Sequence, residues 1–261
     1  ITTRLVGSEM CIRDSYKNKI TYLPDEKKTT VMDGHGGYMN GSRYYGEDLP
    51  INTWYMKRFA GLSEDGLSLW YYTDKETNEE KTTTTYSTGD FYLCGDPNPD
   101  LYGGFGTSIT FHGFDLSTQF SYLVGGLTYD YGYAGMMGNP TATSVGNRWH
   151  KDVLKAWSPE NPSSTIPRWY FNDLNTTGSS DRFLIDGSYL NLQNIQVGYT
   201  LPDSWTSHLK IKNLRLYFVC DNVYYWSKRK GLDPRRSISG VGTSGKIAPF
   251  RTYSGGISLQ F

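Results

Sequence analysis

The end of the chain alternates strictly between two kinds of side chain. After Arg251, one set of alternate positions holds apolar residues and one glycine: Tyr253, Gly255, Ile257, Leu259 and Phe261. The positions between them hold small or polar residues: Thr252, Ser254, Gly256, Ser258 and Gln260. A period of two predicts a β-strand with one apolar and one polar face. This strand reaches the last, aromatic residue, where chain ends usually fray and are polar.

Four earlier segments show the same alternation, at 104–111, 113–124, 188–200 and 213–222. The link His112-Gly113 is so short that the first two segments are predicted to form a hairpin. In 188–200 the apolar phase slips between Leu192 and Ile195, which predicts a β-bulge near Gln193 and Asn194. Residues 51–59 and 67–73 are weaker strand candidates.

The connections between these five strands alternate in length. The connection at 112–113 is very short, 130–187 is very long, 201–212 is moderate and 227–250 is long. Outer-membrane barrels have short periplasmic turns and long external loops. With a periplasmic C-terminus, 130–187 and 227–250 are external and the other two connections are periplasmic. The sequence therefore predicts an all-β fold made of antiparallel strands of a transmembrane β-barrel.

Composition agrees with strands and excludes some other classes of protein. The chain has 261 residues, with 26 basic and 26 acidic side chains, and this balance disfavours a nucleic-acid partner. No run approaches the length of about 18 apolar residues that a membrane-spanning helix needs. Aromatic residues make up 15% of the chain, and there are 29 glycines, as strands and turns favour.

Residues 1–15 are set apart from the rest. The stretch 4–15 resembles translated sequencing-adapter read-through, so residues 1–15 are interpreted as an artefact or a disordered segment. The alternative is an ordinary irregular N-terminal segment. In either case we expect residues 16–261 to be the C-terminal part of a longer protein.

With its strands placed, the chain resembles the C-terminal region of SusC/RagA-type TonB-dependent transporters over residues 16–261. The stretches that carry this resemblance occur in the family's order, at 46–51, 59–62, 95–105, 112–116, 147–149, 181–202, 221–222, 230–234 and 251–261. Each stretch is weak alone. In order and ending on Phe261, they are specific.

The resemblance implies a barrel of about 22 strands around a plugged lumen, of which this chain offers six to eight strands, about a third. The plug domain and TonB box are absent from it. The implied function is TonB-dependent import of oligosaccharides or peptides across the outer membrane. The implied partners are a SusD-like surface lipoprotein, TonB through the missing N-terminal part, lipopolysaccharide, and the barrel-assembly machinery. That machinery would recognise the C-terminal strand at Tyr253, Ile257, Leu259 and Phe261.

Aromatic and basic side chains mark the predicted external loops. Four aromatic residues of the 130–187 loop are candidate ligand or lid contacts: Trp149, Trp157, Trp169 and Tyr170. The alternative is that this loop packs on itself. Aromatic residues near strand ends fit interfacial girdles: Tyr199, Trp205, Tyr224, Tyr225, Trp226, Phe250 and Tyr253. The basic residues of 228–236 are either solvated or contact lipopolysaccharide phosphates or the partner lipoprotein.

No catalytic or metal-binding pattern stands out, so we expect no enzyme activity, cofactor or metal. The four histidines lack metal-ligand spacing, and the stretch 33–37 reads as a flexible loop. The three cysteines cannot form a disulfide framework, although a Cys94–Cys220 bond is conceivable. An alternative function is a secreted all-β carbohydrate-binding module, which predicts short turns and a polar tail. A β-rich glycosidase would need two carboxylates converging in a cleft.

Overall fold

A computed structural model describes residues 6–15, 17–142, 146, 148–173, 178–206, 211–236, 240 and 249–261. The strands in chain order are β1 (Val6–Asp14), β2 (Thr30–Met32), β3 (His35–Asn40), β4 (Arg43–Gly46), β5 (Thr53–Lys57), β6 (Phe59–Leu62), β7 (Ser68–Thr73), β8 (Glu80–Thr83), β9 (Phe91–Leu93), β10 (Leu101–Phe111), β11 (Phe114–Val124), β12 (Leu127–Tyr129), β13 (Leu184–Asp186), β14 (Tyr189–Thr200), β15 (Asn213–Ser227) and β16 (Thr252–Gln260). The α-helices are α1 (Tyr131–Met136) and α2 (Asp203–Thr206). Within the described ranges, neither helix has the length and apolar character needed to cross a membrane.

Six strands form one antiparallel sheet in the order β1-β10-β11-β14-β15-β16, which we call the wall. The five strands predicted from strict alternation are β10, β11, β14, β15 and β16, so the antiparallel all-β fold class is confirmed. Strand β15 ends at Ser227 rather than at 222. Among the described residues the wall has six strands. Five of them come from residues 16–261, for which six to eight were expected, and the sixth is β1.

The predicted hairpin is confirmed. Phe111 pairs with Phe114 across the turn. His112 has φ of 47° and Gly113 has φ of 82°, as a two-residue turn of type I′ requires. Glycine supplies this conformation without strain, whereas histidine adopts it less readily.

The predicted bulge in β14 is also confirmed. Asn194 pairs with Gln119 of β11 and Leu192 with Phe120, which leaves Gln193 as the extra residue. The register toward β15 shifts at the same place. This extra residue explains why the apolar phase slips within β14.

The remaining strands lie at one end of the wall in a region that we call the cap, residues 17–100, 125–188 and 228–236. Its sheets have the orders β2-β3-β4-β5-β9, β6-β7-β8 and β12-β13. Its core consists of buried residues from the first two of these ranges: Trp54, Met56, Tyr129, Met137 and Phe183.

The weaker strand candidates correspond to β5, at 53–57, and β7, at 68–73. They are strands, but they belong to the cap and not to the wall. Every residue of β5 is buried, so its two faces do not differ in the way that a wall strand's do. Residues 33–37 are not a flexible loop, because Asp33 and Gly34 form the turn that joins β2 to β3.

Strand β1 lies inside the segment that we set apart. It pairs with β10 along its whole length, from Val6 with Thr110 to Asp14 with Tyr102. The described residues of this segment are therefore extended rather than irregular. Pairing does not show whether the natural protein carries residues 1–15, and their artefactual origin stays a prediction.

Candidate functional site

One face of the wall is apolar across β10, β11, β14, β15 and β16. The register places one residue from each strand in a row, Ile109, Leu116, Val197, Phe218 and Gly255. The next row toward the short turns is Phe111, Phe114, Tyr199, Leu216 and Ile257. These side chains are not buried, since Phe218 is 48% exposed and Ile257 is 65% exposed. A continuous exposed apolar face of this extent needs apolar surroundings.

The height of this face matches a membrane. Strand β11 has eleven residues from Phe114 to Val124. Ten steps of about 3.4 Å give about 34 Å, or about 26 Å along the membrane normal at a tilt of about 40°. The apolar band of outer-membrane barrels is about 25 Å tall. The wall strands therefore have the length needed to span the bilayer.

The opposite face of the wall is polar and carries an ion pair that crosses a whole strand. Arg215 of β15 donates from Nε to Oδ1 of Asp115 at 2.9 Å and from Nη2 to Oδ2 at 2.6 Å. Strand β14 lies between the two residues, at Gly198. A Cβ atom on Gly198 would lie 2.6 Å from Nη2 of Arg215. The pair therefore depends on glycine at this position.

Near the bulge, the polar face meets the last segment of the cap. Arg235 donates from Nη1 to Oδ1 of Asn191 at 2.6 Å and forms a bidentate pair with Asp233, at 2.8 and 2.7 Å. Gln193 donates to Oγ of Ser121 at 3.0 Å. These polar groups surround a cavity of about 500 Å³. Amides, carboxylates and a guanidinium can all hydrogen-bond a polar solute in the lumen.

All the long connections of the wall leave from the same end. Contacts between cap segments start directly beyond the strand ends. Leu127 accepts a hydrogen bond from Nε1 of Trp54 at 3.1 Å and donates its own amide to Asp96 at 2.8 Å. The strand ends at Phe111, Phe114, Thr200 and Asn213 lie at the other end, as the alternation of connection lengths predicted.

The cap buries two cations and gives each of them polar or aromatic partners. Lys57 donates from Nζ to the carbonyl oxygens of Tyr86, Ser87 and Gly89, at 2.5, 3.2 and 2.6 Å. Burial lowers the pKa of Lys57. The guanidinium of Arg43 lies 3.1 Å from the centre of the Trp54 ring, and burial lowers its pKa to about 10. Each cation therefore holds neighbouring cap residues together, Lys57 through three carbonyl oxygens and Arg43 through the ring of Trp54.

The four aromatic residues predicted as ligand contacts differ in their surroundings. Trp149 and Trp169 meet edge to face with ring centres 5.4 Å apart, and Nε1 of Trp169 donates to the carbonyl of Gly138 at 3.1 Å. The Trp157 ring packs on the backbone at Gly66. Tyr170 is 59% exposed. The structure thus packs Trp149 and Trp169 within the loop, packs Trp157 against another part of the cap, and leaves Tyr170 accessible. Ligand contact by all four stays a prediction.

The basic segment of the cap contains both ion-paired and exposed groups. Arg229 forms an ion pair with the buried Asp130, with Nε to Oδ2 at 2.7 Å. Arg235 pairs with Asp233. Lys228 and Lys230 are exposed. Two of the residues predicted to be solvated or to contact phosphate are therefore structural.

The C-terminal strand is arranged as its alternation predicted. Tyr253, Ile257 and Leu259 lie on the outward apolar face, and Phe261 is 73% exposed just beyond β16. Recognition of these residues by assembly machinery stays a prediction. Among the girdle candidates, Tyr224 and Trp226 face outward, but Tyr225 faces the polar side. Its ring lies 4.6 Å from the guanidinium of Arg235.

Cys94 and Cys220 are both free, so the conceivable disulfide is absent. Cys94 packs on the cap core, whereas Cys220 lies in the wall beside Ile195 and Tyr253. Burial raises the pKa of Cys94 to about 11. Among the described residues, no group of three or more His, Cys, Asp or Glu side chains could hold a metal ion. His208 lies outside the described residues.

An antiparallel wall with an exposed apolar face and long connections at one end is the architecture of a transmembrane β-barrel. Comparison with solved structures agrees. The chain superposes on a chain of the RagAB peptide importer in its closed-closed state with a TM-score of 0.77 and 22% identity, covering 98% of this chain and 27% of that one. In the open-open state the TM-score is 0.69, over 98% of this chain and 28% of that one.

Sequence comparison gives the particular relatives. The chain is 28% identical to TonB-dependent receptor P3 of Formosa agariphila, over 94% of this chain and 26% of the relative. It is 27% identical to TonB-dependent receptor SusC of Bacteroides thetaiotaomicron, over 68% of this chain and 17% of the relative. No protein-family model matches. The chain resembles SusC/RagA-type TonB-dependent transporters, as predicted, and spans about a quarter of the length of the first of these relatives.

Proposed function

We propose that this chain supplies part of the barrel wall and the external loops of an outer-membrane TonB-dependent importer. The observation that carries the proposal is the wall itself, whose apolar face is exposed over a height that matches the bilayer. Its role is structural. The wall separates lipid from a polar lumen, and the cap forms loops at the mouth of that lumen.

The orientation follows from the connections. Short turns are periplasmic in outer-membrane barrels, and long loops are external. The links at 112–113 and 201–212 and the end of β16 then face the periplasm, and the cap faces outward. Substrate would first meet the cap and then the polar face near Asn191 and Arg235. The proposed ligand or lid contacts of the external loops are Trp149, Trp157, Trp169 and Tyr170.

The proposed cargo is an oligosaccharide or a peptide. Support comes from the relatives: one is named SusC, and the solved neighbours are named a peptide importer. The proposed partners are a SusD-like lipoprotein over the cap and TonB, reached through a part of the protein that this chain lacks. We propose that residues 16–261 are the C-terminal part of that longer protein, and that the barrel-assembly machinery recognises its last strand.

Alternating cysteines along β16 test the membrane placement. In a variant with Cys11, Cys94 and Cys220 replaced by serine, Ile257→Cys and Ser258→Cys would each carry a nitroxide spin label after reconstitution in phospholipid vesicles. We expect the label at 257 to be relaxed by oxygen, which concentrates in lipid. The label at 258 should be relaxed by a water-soluble nickel complex.

Leu259→Cys and Gln260→Cys form a second pair, which should repeat the alternation with the same phase. If the water-soluble nickel complex relaxed the labels at both 257 and 259, the proposal would be contradicted. A monomeric chain in solution with those labels protected would instead favour the secreted carbohydrate-binding module, in which the apolar face packs into a core.

The import function has its own test, in the source organism. Disruption of the gene should abolish growth on a specific polymeric glycan or on peptides as the only carbon source, while growth on monosaccharides or free amino acids continues. Unchanged growth on every polymer tested would contradict an importer.

A further inference from the structure

We propose that the polar cavity beside the bulge of β14 binds an ammonium group carried by the cargo, with Asp221 as the counter-ion. This inference rests on the proposed function, because it assumes that the polar face of the wall lines the lumen through which cargo passes. It deepens that function by naming a chemical group of the cargo. Such a group could belong to an amino sugar or to a lysine side chain of a peptide.

The cavity lies where two neighbouring strands lose their regular pairing together. Gln193 has no partner in β11 or in β15. Opposite it, Asn222 and Val223 have no partner in β14. Asn222 has φ of 52°, a left-handed conformation that asparagine adopts more readily than most other residues with a side chain. Bulges and unusual backbone conformations are concentrated at functional sites, where they redirect side chains.

The bulge gathers amide side chains on the polar face. In a regular strand Asn191 and Asn194 would point to opposite faces, because they are three residues apart. With the extra residue between them, both lie on the polar face. Asn191 accepts from Nη1 of Arg235 at 2.6 Å, and Asn194 donates from Nδ2 to Oδ1 of Asp221 at 2.6 Å. Asn191, Gln193 and Asp221 thus lie beside the same cavity, of about 500 Å³.

The charges around this cavity do not balance. The described charged residues that line it are Asp221, Asp233 and Arg235. Arg235 already forms its bidentate pair with Asp233 and lies over the ring of Tyr225, 4.6 Å from the ring centre. Asp221 is partly buried, and the ion pairs among the described residues do not include it. One carboxylate therefore remains to attract a cationic ligand.

The hydrogen-bonding groups favour the same kind of ligand. Nε2 of Gln193 donates to Ser121, and Nδ2 of Asn194 donates to Asp221. No described residue donates to Oε1 of Gln193 or to Oδ2 of Asp221. An ammonium group has three donors and no acceptor, so it matches a site where acceptors are left over. A calcium ion would need six or more oxygen ligands, and no metal-binding group of acidic, His or Cys side chains occurs among the described residues.

Calorimetric titration of the detergent-solubilised chain with matched ligands tests the site. One pair of ligands is a glucosamine trisaccharide and its fully N-acetylated form. The other pair is a lysine-containing tripeptide with blocked ends and its Nε-acetylated form. We expect at least one free amine to bind saturably and its acetylated form to bind at least about tenfold more weakly, because a charge-assisted hydrogen bond is lost. The pair that shows this difference identifies the source of the amine.

Three variants assign the effect to Asp221. Asp221→Asn has nearly the same shape and can still accept from Asn194, but it should bind the free amine as weakly as the acetylated form. Asp221→Glu keeps the charge and should keep the preference for the free amine. Asp203→Asn removes an exposed carboxylate at the opposite end of the wall and should bind like the wild type.

Several results would overturn the inference. They are no saturable binding of either free amine, equal affinities for free and acetylated forms, and an unchanged preference in Asp221→Asn. An equal loss of affinity in Asp203→Asn would also overturn it, because that result would show a general effect of charge. If the β16 labels still alternate, any of these results contradicts the ammonium site alone and leaves the barrel proposal standing.

Discussion

The wall and the cap are both built from antiparallel strands, but they treat apolar side chains in opposite ways. In the cap, Trp54 and Met56 are at most 1% exposed. In the wall, Phe218 and Ile257 are 48% and 65% exposed although they lie in regular strands. The cap completes its core within itself, as a fold in water must. The wall leaves its apolar face for the surrounding bilayer to cover.

Polar groups show the same contrast. The cap takes Lys57 and Arg43 into its interior and supplies carbonyl oxygens and an aromatic ring to each. The wall instead places its ion pair, Asp115 with Arg215, on the face away from the apolar rows. Side-chain exposure of 22% and 28% leaves this pair in contact with water. The cap therefore buries its cations with partners, whereas the wall keeps its charges on the face that is away from lipid.

The largest expected difference comes from truncating one aromatic residue in each region. Trp54→Ala should destabilise the cap by about 3–5 kcal/mol, because it opens a cavity in a closed core. Phe218→Ala should cost about 1 kcal/mol, since lipid can fill the space. Guanidinium denaturation of the vesicle-bound chain, followed by near-ultraviolet circular dichroism, measures both. Equal costs would mean that the wall packs against protein.

A charge on the two faces of β15 sharpens the comparison further. Phe218→Arg places a guanidinium among the apolar rows and should cost about 2–4 kcal/mol in vesicles. Val219→Arg, one residue away, faces the lumen and should cost less than about 1 kcal/mol. The same denaturation experiment measures the free energy of unfolding of both variants. Similar penalties at 218 and 219 would argue against a bilayer on one side only.

The next prediction concerns a charge that the cap depends on. Lys57→Met removes the donor that three carbonyl groups share and should cost about 1–3 kcal/mol, because it leaves those acceptors buried without a partner. Lys75→Met is the matched control, since Lys75 is exposed in the turn between β7 and β8. Hydrogen exchange of the backbone amides of residues 86–89 measures the stability of the cap. Loss of protection in the Lys75 variant would show that any lost lysine has this effect.

The sequence predicted the wall far better than the cap, for a physical reason. Wall strands have two different surroundings, so their alternation, their hairpin at His112 and even the bulge at Gln193 are visible as a period of two. Strand β5 is buried on both faces, and its residues therefore carry no such signal. Tyr225 was misplaced because aromatic character alone does not tell which face of β15 a residue takes.

The polar-face contacts could not be predicted from the sequence at all. Asp115 and Arg215 are 100 positions apart and meet across β14. Only the register of three strands brings them together. The pairing of Arg229 with Asp130 also depends on how two long connections fold against each other. A basic segment looks the same in the sequence whether its cations are paired or free.

The smallest predicted effect concerns the two edges of the wall, where β16 continues its neighbour's polarity and β1 reverses it. Glu9 pairs with Thr107, Cys11 with Phe105 and Arg13 with Gly103, so charged residues share the outward face. Met10 and Ile12 take the polar face opposite Gly106 and Gly104.

A strand selected to span a bilayer would have the opposite arrangement, which supports an artefactual origin for this segment. The double variant Glu9→Val, Arg13→Val should therefore stabilise the vesicle-bound chain by about 1–2 kcal/mol. An outward charge costs about 0–1 kcal/mol near the rim, where Arg13 lies, and more toward mid-height, where Glu9 pairs with Thr107. Met10→Val is the control, because Met10 lies on the polar face opposite Gly106 and its replacement should give no gain. A loss of stability in the Glu9, Arg13 variant would show that these charges have partners, and that β1 is a native strand of the wall.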